Sequence, residues 1–387
     1  MIHPDKAEEI LNNVKTITKT EVIPVSDSFG RVLAEDIYSA LDSPPFDKSA
    51  MDGYAFNSKD TGNKLKVIAV IGAGEAHNIV LKAGECAKIM TGAMVPEGAD
   101  SVVKVENTTE ENGMMSFDPE KVKNIIYKGE NLKTGDKVIE KCIIRPQEIG
   151  VLSSLGMDKI EVAKQPLVGV ITTGTEIREP GETLEVGQIY NSNGHQIKSQ
   201  IEAMHCRAKY FGTVPDDMEK TFKIIKDAIE ECDVVILSGG VSMGDFDFVP
   251  KMLEENGVNI LIRKVAVKPG KPTLFGEKNG KFVFGLPGNP VSTFIIFEIF
   301  IKSFLYKIMG IKYVPNMYKG ILQNDVKRKR TERVAYKPVV LSNGKVTPVL
   351  YHGSSHLNVL SVSNALLVIP QGVPILKKGT EVDVRQV

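Results

Sequence analysis

The chain has 387 residues, enough for two or three domains and a sizeable core. Its 48 basic and 48 acidic residues cancel, which leaves no overall electrostatic drive toward nucleic acid or anionic lipid. With 42% hydrophobic and 25% charged residues the composition excludes a disordered chain.

Residues 1–44 open with a helical pattern, Pro4 near its start and Ala7, Ile10, Leu11 and Val14 on one face. The segment MIHPDKAEEI is polar and lacks the apolar stretch of a signal peptide. Residues 45–130 are rich in Gly and in short β-prone runs such as KLKVIAVIGAG and ADSVVKVEN, the texture of a small β domain. Residues 131–165 carry a helix signal at Pro146-Gln147-Glu148, running into Ile149, Val151 and Leu152. Packed back onto the first helix, this segment would join 1–44 and 131–165 into one discontinuous dimerisation or linker domain, with the β domain inserted.

Residues 166–310 alternate strands and helices, which predicts a parallel, doubly wound α/β sheet. Its last helix starts at Asn289-Pro290, and its apolar run 291–305 is broken by Glu298 and Lys302. That run is too short and too charged to span a bilayer. Residues 311–387 return to β texture (VAYKPVVL, KVTPVLY, NALLVIP, TEVDVRQV), the pattern of a small barrel or sandwich. The four cysteines, Cys86, Cys142, Cys206 and Cys232, form no CxxC pair, so a zinc finger or thioredoxin-type site is disfavoured. A reducing cytoplasm is the expected address, with neither membrane nor nucleic acid as partner.

In a parallel sheet, ligands bind at the carboxyl ends of the strands. Three glycine loops should gather there: Thr172-Thr173-Gly174, Ser238-Gly239-Gly240-Val241-Ser242-Met243-Gly244, and Leu286-Pro287-Gly288-Asn289-Pro290. Glycine admits close backbone approach, and free N–H groups at helix starts favour anions, so three such loops point to a phosphate-bearing ligand. GxxxxGK[ST] and GxGxxG are both absent, which disfavours a P-loop or a Rossmann site. Lys268-Pro269-Gly270-Lys271-Pro272 is expected after the fourth strand, projecting two ammonium groups toward an oxyanion. Acids on the same side are Glu176, Asp216, Asp245 and Asp247. Asp245 reads as a helix cap. Glu176 and Asp247, each beside a glycine loop, suit Mg²⁺ bridging to phosphate. The loop Pro44-Pro45-Phe46-Asp47-Lys48-Ser49-Ala50-Met51-Asp52-Gly53-Tyr54-Ala55 reads by itself as structural, and the histidines suggest no metal pair.

Seven motifs in order, PPFDKSAMDGYA, MTGAMVPEGADSVVKVE, GVITTGTEI, GQIYNSNG, LSGGVSMGDFDFV, KPGKPTLFG and GLPGNPVS, resemble the molybdopterin molybdenumtransferase (MoeA) family, which includes the E domain of gephyrin-like proteins. The resemblance covers essentially the whole chain. It implies a homodimer of four-domain subunits that inserts molybdate into adenylylated molybdopterin and releases AMP with the help of Mg²⁺. It also implies a central domain like the MogA/MoaB adenylyltransferases, one of which would be a transient partner.

Carried over by motif, Asp52 and Thr91 are expected catalytic positions of the β domain, facing the pterin-binding domain across a cleft between subunits. Glu176, Asp216 and Asp247 match the nucleotide and Mg²⁺ acids. Gly239, Gly240 and Ser242 match the nucleotide phosphate loop, with Gly174 and Gly288 in the neighbouring loops. Lys268 and Lys271 match the basic loop, and Lys268, Pro269, Ser292 and Ser354 match the molybdate pocket. Two departures stand out. Gly129-Glu130-Asn131 lacks an expected acid, and Arg333 or Lys337 takes the place of a last-domain arginine where Pro338 falls. A scaffold role and the adenylyltransferase step are the rival readings, and tungstate has nearly the charge and shape of molybdate.

Overall fold

The structure, a computed structural model, describes residues 1–118, 123–214, 218–240 and 249–387. The chain divides into two compact units, one of residues 1–34, 142–145 and 159–387, the other of residues 35–141 and 146–158.

The first unit is built on a six-stranded sheet of β1 (Leu167–Thr173), β2 (Arg207–Val214), β3 (Val234–Ser238), β4 (Asn259–Ile262), β5 (Leu274–Lys278) and β6 (Lys281–Leu286), in the order β2-β1-β3-β6-β5-β4. The four strands β2, β1, β3 and β6 run parallel. β5 is antiparallel to both of its neighbours, a reversal that strand–helix alternation does not announce. Its cause is local. Asn279 and Gly280 stand at φ 50° and 76°, the positive values that both central residues of a tight primed hairpin turn require.

Every residue of β3 is buried, because helices cover both faces. Val234 and Ile236 join the core under α1 (Asn193–Glu202) and α4 (Pro290–Ile296). Val235 and Leu237 join the core under α2 (Met218–Glu231) and α3 (Val249–Glu255). This is the period-2 alternation of a strand feeding two layers. α4 continues through a π-helical turn, Phe297–Ile301, into a further helix, Lys302–Ile308. The N-terminal helix Pro4–Asn13 adds Ala7 and Leu11 to the first core.

The C-terminal strands Met317–Leu322, Val334–Ser342, Lys345–Pro348, Ala365–Ile369 and Glu381–Gln386 close into a barrel, since Val334–Ser342 pairs on both sides. Leu322, Val339, Val346, Leu367 and Val384 are buried together in its interior. The same strand takes Val267–Lys268 as a parallel partner. This corrects the expected placement of the lysine loop. The pairing of β4 in the sheet ends at Ile262, opposite Phe275, and the chain crosses to the barrel, so Lys268 leaves from a barrel strand rather than from the sheet's fourth strand.

The second unit holds a six-stranded sheet in the order Ser101–Lys104, Gly53–Phe56, Glu85–Ile89, Leu65–Ile71, Met114–Phe117, Thr108–Glu111. Tyr54 and Phe56 pack on one face with Val103 and Met115; Ala55 packs on the other with Ile71, Ile89 and Val102. The helix Pro146–Ser154 belongs to this unit. Among the described residues no helix is long and apolar enough to cross a membrane.

Candidate active site

A cleft of about 810 Å³ opens where β1, β3 and β6 end. It brings together Gly174 and Glu176 after β1, Gly239 and Gly240 after β3, and Gly288 after β6. Glycine at two of these positions is a requirement of the backbone. Gly239 stands at φ +100°, and a Cβ there would come 2.4 Å from the Thr173 carbonyl oxygen. Gly174 stands at φ +150°, and a Cβ there would come 2.8 Å from Glu176 Oε2. At Gly239 the contact is with backbone of the neighbouring loop, so the two loops lie against one another only without a side chain there, whereas Gly174 is required by its φ, the Glu176 contact being with a flexible side chain of its own loop.

Two asparagines at the start of α1 fasten these loops. Asn193 Nδ2 donates to the Gly288 carbonyl at 2.7 Å and to Ser238 Oγ at 2.8 Å. Asn191 Oδ1 accepts from the Gly194 N–H at 2.9 Å, satisfying a free donor at the helix start. Asn191 is held in turn by Glu179, whose carboxylate accepts from Tyr210 Oη (2.6 Å), Asn191 Nδ2 (2.9 Å), Thr213 Oγ1 (2.9 Å) and His195 Nε2 (2.9 Å). Burial pushes the Glu179 carboxyl up, but these four donors outweigh it and hold the pKa at about 2.

A second cavity of about 340 Å³ shares Pro272, Pro287 and Asn289 with the cleft. Lys268, Pro269, Lys271, Ser292 and Ser354 line it. The barrel adds Arg328, Arg333 and Lys337, making five cationic side chains and no carboxylate. Arg328 donates to the carbonyls of Arg333 (2.7 Å), Val373 (2.5 Å) and Pro370, and Arg333 donates to the Val267 carbonyl at 3.1 Å. Burial, then Lys268, then Arg328 hold the Lys337 ammonium below its ordinary value. Burial does the same to Arg328. Glu332 opposes this at Arg328, but among the described residues no carboxylate lines the cavity, and cations crowded around a space in this way form a site for an anion.

In the second unit Asp52 and Thr91 meet. Asp52 Oδ1 accepts from both the Thr91 N–H and the Thr91 hydroxyl, each at 2.7 Å. The hydroxyl and then the amide hold the Asp52 carboxyl below its ordinary value. Asp216, Ser242 and Asp247 lie outside the described residues. Among the described residues no three His, Cys, Asp or Glu side chains gather closely enough to hold a metal ion, and Glu176 is a single carboxylate on the cleft wall. Sequence reasoning missed Asn191, Asn193, Glu179 and Arg328 as site residues. GQIYNSNG flagged the asparagines only as part of a motif, while Glu179 and Arg328 carry no local signal, because their partners are distant in sequence.

Comparison with known proteins agrees along the whole chain. Residues 2–156 match the MoeA N-terminal region (domains I and II), residues 169–307 the probable molybdopterin binding domain, and residues 319–387 the MoeA C-terminal region (domain IV). The molybdopterin molybdenumtransferase of Staphylococcus aureus is 36% identical over 376 residues, covering 94% of this chain and 90% of its own length. That of Staphylococcus epidermidis is 35% identical, covering 96% and 93%. The crystal structure of the molybdopterin biosynthesis MoeA protein of Pyrococcus horikoshii superposes with a TM-score of 0.87 at 32% identity, covering 100% of this chain and 99% of that one. Relatives above 30% identity spanning nine-tenths of both partners leave one assignment: this chain belongs to the molybdopterin molybdenumtransferase (MoeA) family.

Proposed function

We propose that the chain inserts molybdate into adenylylated molybdopterin and releases AMP. As a member of its family it is a transferase of molybdenum cofactor biosynthesis; the substrate form, the leaving group and the residues are our reading. The observation that carries it is the shared wall of Pro272, Pro287 and Asn289 between a cleft bounded by glycine loops and a pocket of five cations. The cleft suits a phosphate-bearing pterin adenylate and the pocket suits a tetrahedral dianion. Two unit negative charges 4 Å apart repel by about 4 kcal/mol near a protein surface. Lys268, Lys271, Arg328, Arg333 and Lys337 offset that cost by placing positive charge behind the oxyanion. Ser292 and Ser354 add hydroxyls, and Gly239 and Gly240 let the backbone approach the phosphate. Rate would come from positioning and charge placement, with no protein nucleophile.

Glu176 faces the cleft with no ion pair among the described residues, which fits a carboxylate kept for Mg²⁺, and Asp247 is the proposed second ligand. Bound there, Mg²⁺ would supply positive charge at the phosphates. Asp216, Ser242, Gly174 and Gly288 complete the proposed nucleotide side, and Asp52 and Thr91 are the proposed catalytic pair of the other unit. The protein would act in the cytoplasm as a homodimer, fed by a MogA/MoaB-type adenylyltransferase, and tungstate could replace molybdate.

The test mixes the protein with adenylylated molybdopterin and Mg²⁺ and then adds molybdate. AMP release triggered by molybdate supports insertion. In a parallel mixture of the protein with molybdopterin, ATP and Mg²⁺, consumption of ATP would mean adenylylation, and binding of adenylylated molybdopterin without AMP release in the first mixture would mean a scaffold.

A further inference from the structure

Thr173 ends β1 on the cleft wall and is only 4% exposed. Its hydroxyl oxygen is buried with no hydrogen-bond partner among the described residues. Cβ atoms built on Gly239 and Gly240 would come 2.7 and 3.1 Å from that oxygen, so it lies directly against the proposed phosphate loop. A second buried polar atom of the cleft lining is in the same condition. Asn193 is 7% exposed, and its amide orientation is fixed because the Gly288 carbonyl can only accept, which assigns Nδ2 to that bond. Asn193 Oδ1 is left with no partner among the described residues. Buried polar atoms are nearly always satisfied, and leaving one unsatisfied disfavours the state that leaves it so. Both residues belong to the cleft lining, so a ligand with polar groups in the cleft would supply what the protein does not.

We infer that the Thr173 hydroxyl is a specificity-determining donor that gains its acceptor, a phosphate oxygen of the nucleotide part of the substrate, only when the cleft is filled. This rests on the phosphate-binding reading of the cleft and adds to it a side-chain donor, where the Thr172-Thr173-Gly174 loop is read in the sequence only for the close backbone approach its glycine admits. Thr173 would discriminate a phosphorylated ligand from its unphosphorylated counterpart, because only the former brings an acceptor to the Gly239–Gly240 loop.

Thr173→Val keeps the shape and removes the hydroxyl; Thr173→Ser keeps the hydroxyl and removes a methyl. The probe is AMP, titrated calorimetrically into the full chain, with adenosine as the control and the thermal midpoint of the ligand-free protein measured beside it. We expect T173V to melt no lower than the wild type, to bind AMP about tenfold more weakly and to bind adenosine unchanged, with T173S retaining AMP affinity. AMP affinity unchanged in T173V overturns the inference. So does a loss of affinity accompanied by a lowered midpoint, by an equal loss for adenosine or by an equal loss in T173S, since each describes a packing role. Failure of the wild type to bind AMP at all would sink the cleft assignment itself, a result distinct from these.

Discussion

Thr91 gives both of its donors, the backbone N–H and the side-chain hydroxyl, to a single oxygen of Asp52, each over 2.7 Å. Both bonds fall on Oδ1 and favour the ionised carboxylate. The Asp52 carboxyl titrates below its ordinary value, first because of the hydroxyl and then because of the amide. Its share of stability is therefore present above the usual aspartate range and is lost as pH falls through the depressed value.

Thr91→Val should move the Asp52 pKa part of the way back up, because it deletes the larger contribution and keeps the amide. Carboxyl-carbon NMR titration reads this directly, and an unchanged titration would dismiss the hydroxyl as the cause. If Asp52 serves the reaction as an anion, T91V should also shift the acid limb of AMP release upward in pH, with the neutral-pH rate falling roughly tenfold or less.

Lys337 sits in the barrel wall of the cationic pocket with Lys268 and Arg328 for neighbours. A lysine whose folded pKa is below its unfolded one is penalised on folding while charged. The penalty is full below the folded value and fades as pH rises from there toward the ordinary lysine range. Lys337→Met should therefore leave the ligand-free protein as stable as the wild type or more so at pH 7, with a smaller gain near pH 10. Molybdate binding should weaken about ten- to a hundredfold, the worth of one charge-assisted contact. Thermal midpoints with and without molybdate check both halves, and wild-type affinity in K337M would remove Lys337 from the pocket's function.

Glu179 should be visible in acid. Its carboxyl, pulled from an ordinary 4.5 to about 2 by four donors that outweigh burial, contributes stability above about 4.5 that disappears as pH falls toward 2. Glu179→Gln should cost about 1 kcal/mol at pH 7, discounted because the carboxylate is partly exposed. The difference from wild type should shrink on approaching pH 2. A denaturant midpoint series from pH 7 to 2.5 tests this; a gap that stays constant would mean that charge is not what the four donors recognise.

How much of this could be read from residues alone depends on whether the signal was local. The strand–helix alternation of 166–310 and the β texture of 311–387 are local and predicted the layers. The Asn279-Gly280 turn was equally local, and its antiparallel hairpin could have been read from that pair. The transfer of Val267–Lys268 to the barrel could not, because it depends on which partner strand Val334–Ser342 offers. The Glu179 network joins residues up to 34 positions apart, and Arg328 enters the cationic pocket only through barrel closure. Non-local contacts of this kind leave no period and no spacing for a pattern to find.

Gly239 and Gly181 offer a matched comparison, since both stand at φ +100°. Alanine at either one must adopt a backbone conformation that costs about 1–3 kcal/mol. At Gly181 no atom of the described residues lies within 4 Å of the added Cβ, whereas at Gly239 it would come 2.4 Å from the Thr173 carbonyl. That contact is with backbone and cannot be relieved by a rotamer change, so the loop after β3 must move away from β1. Gly181→Ala should lower the thermal midpoint only by its strain and leave AMP release intact. Gly239→Ala should lower the midpoint further and abolish molybdate-dependent AMP release, because the loop proposed to carry the phosphate no longer lies against Thr173. Equal stability and equal activity in the two variants would show that the close approach of β1 and β3, rather than being a requirement of the cleft, is incidental to it.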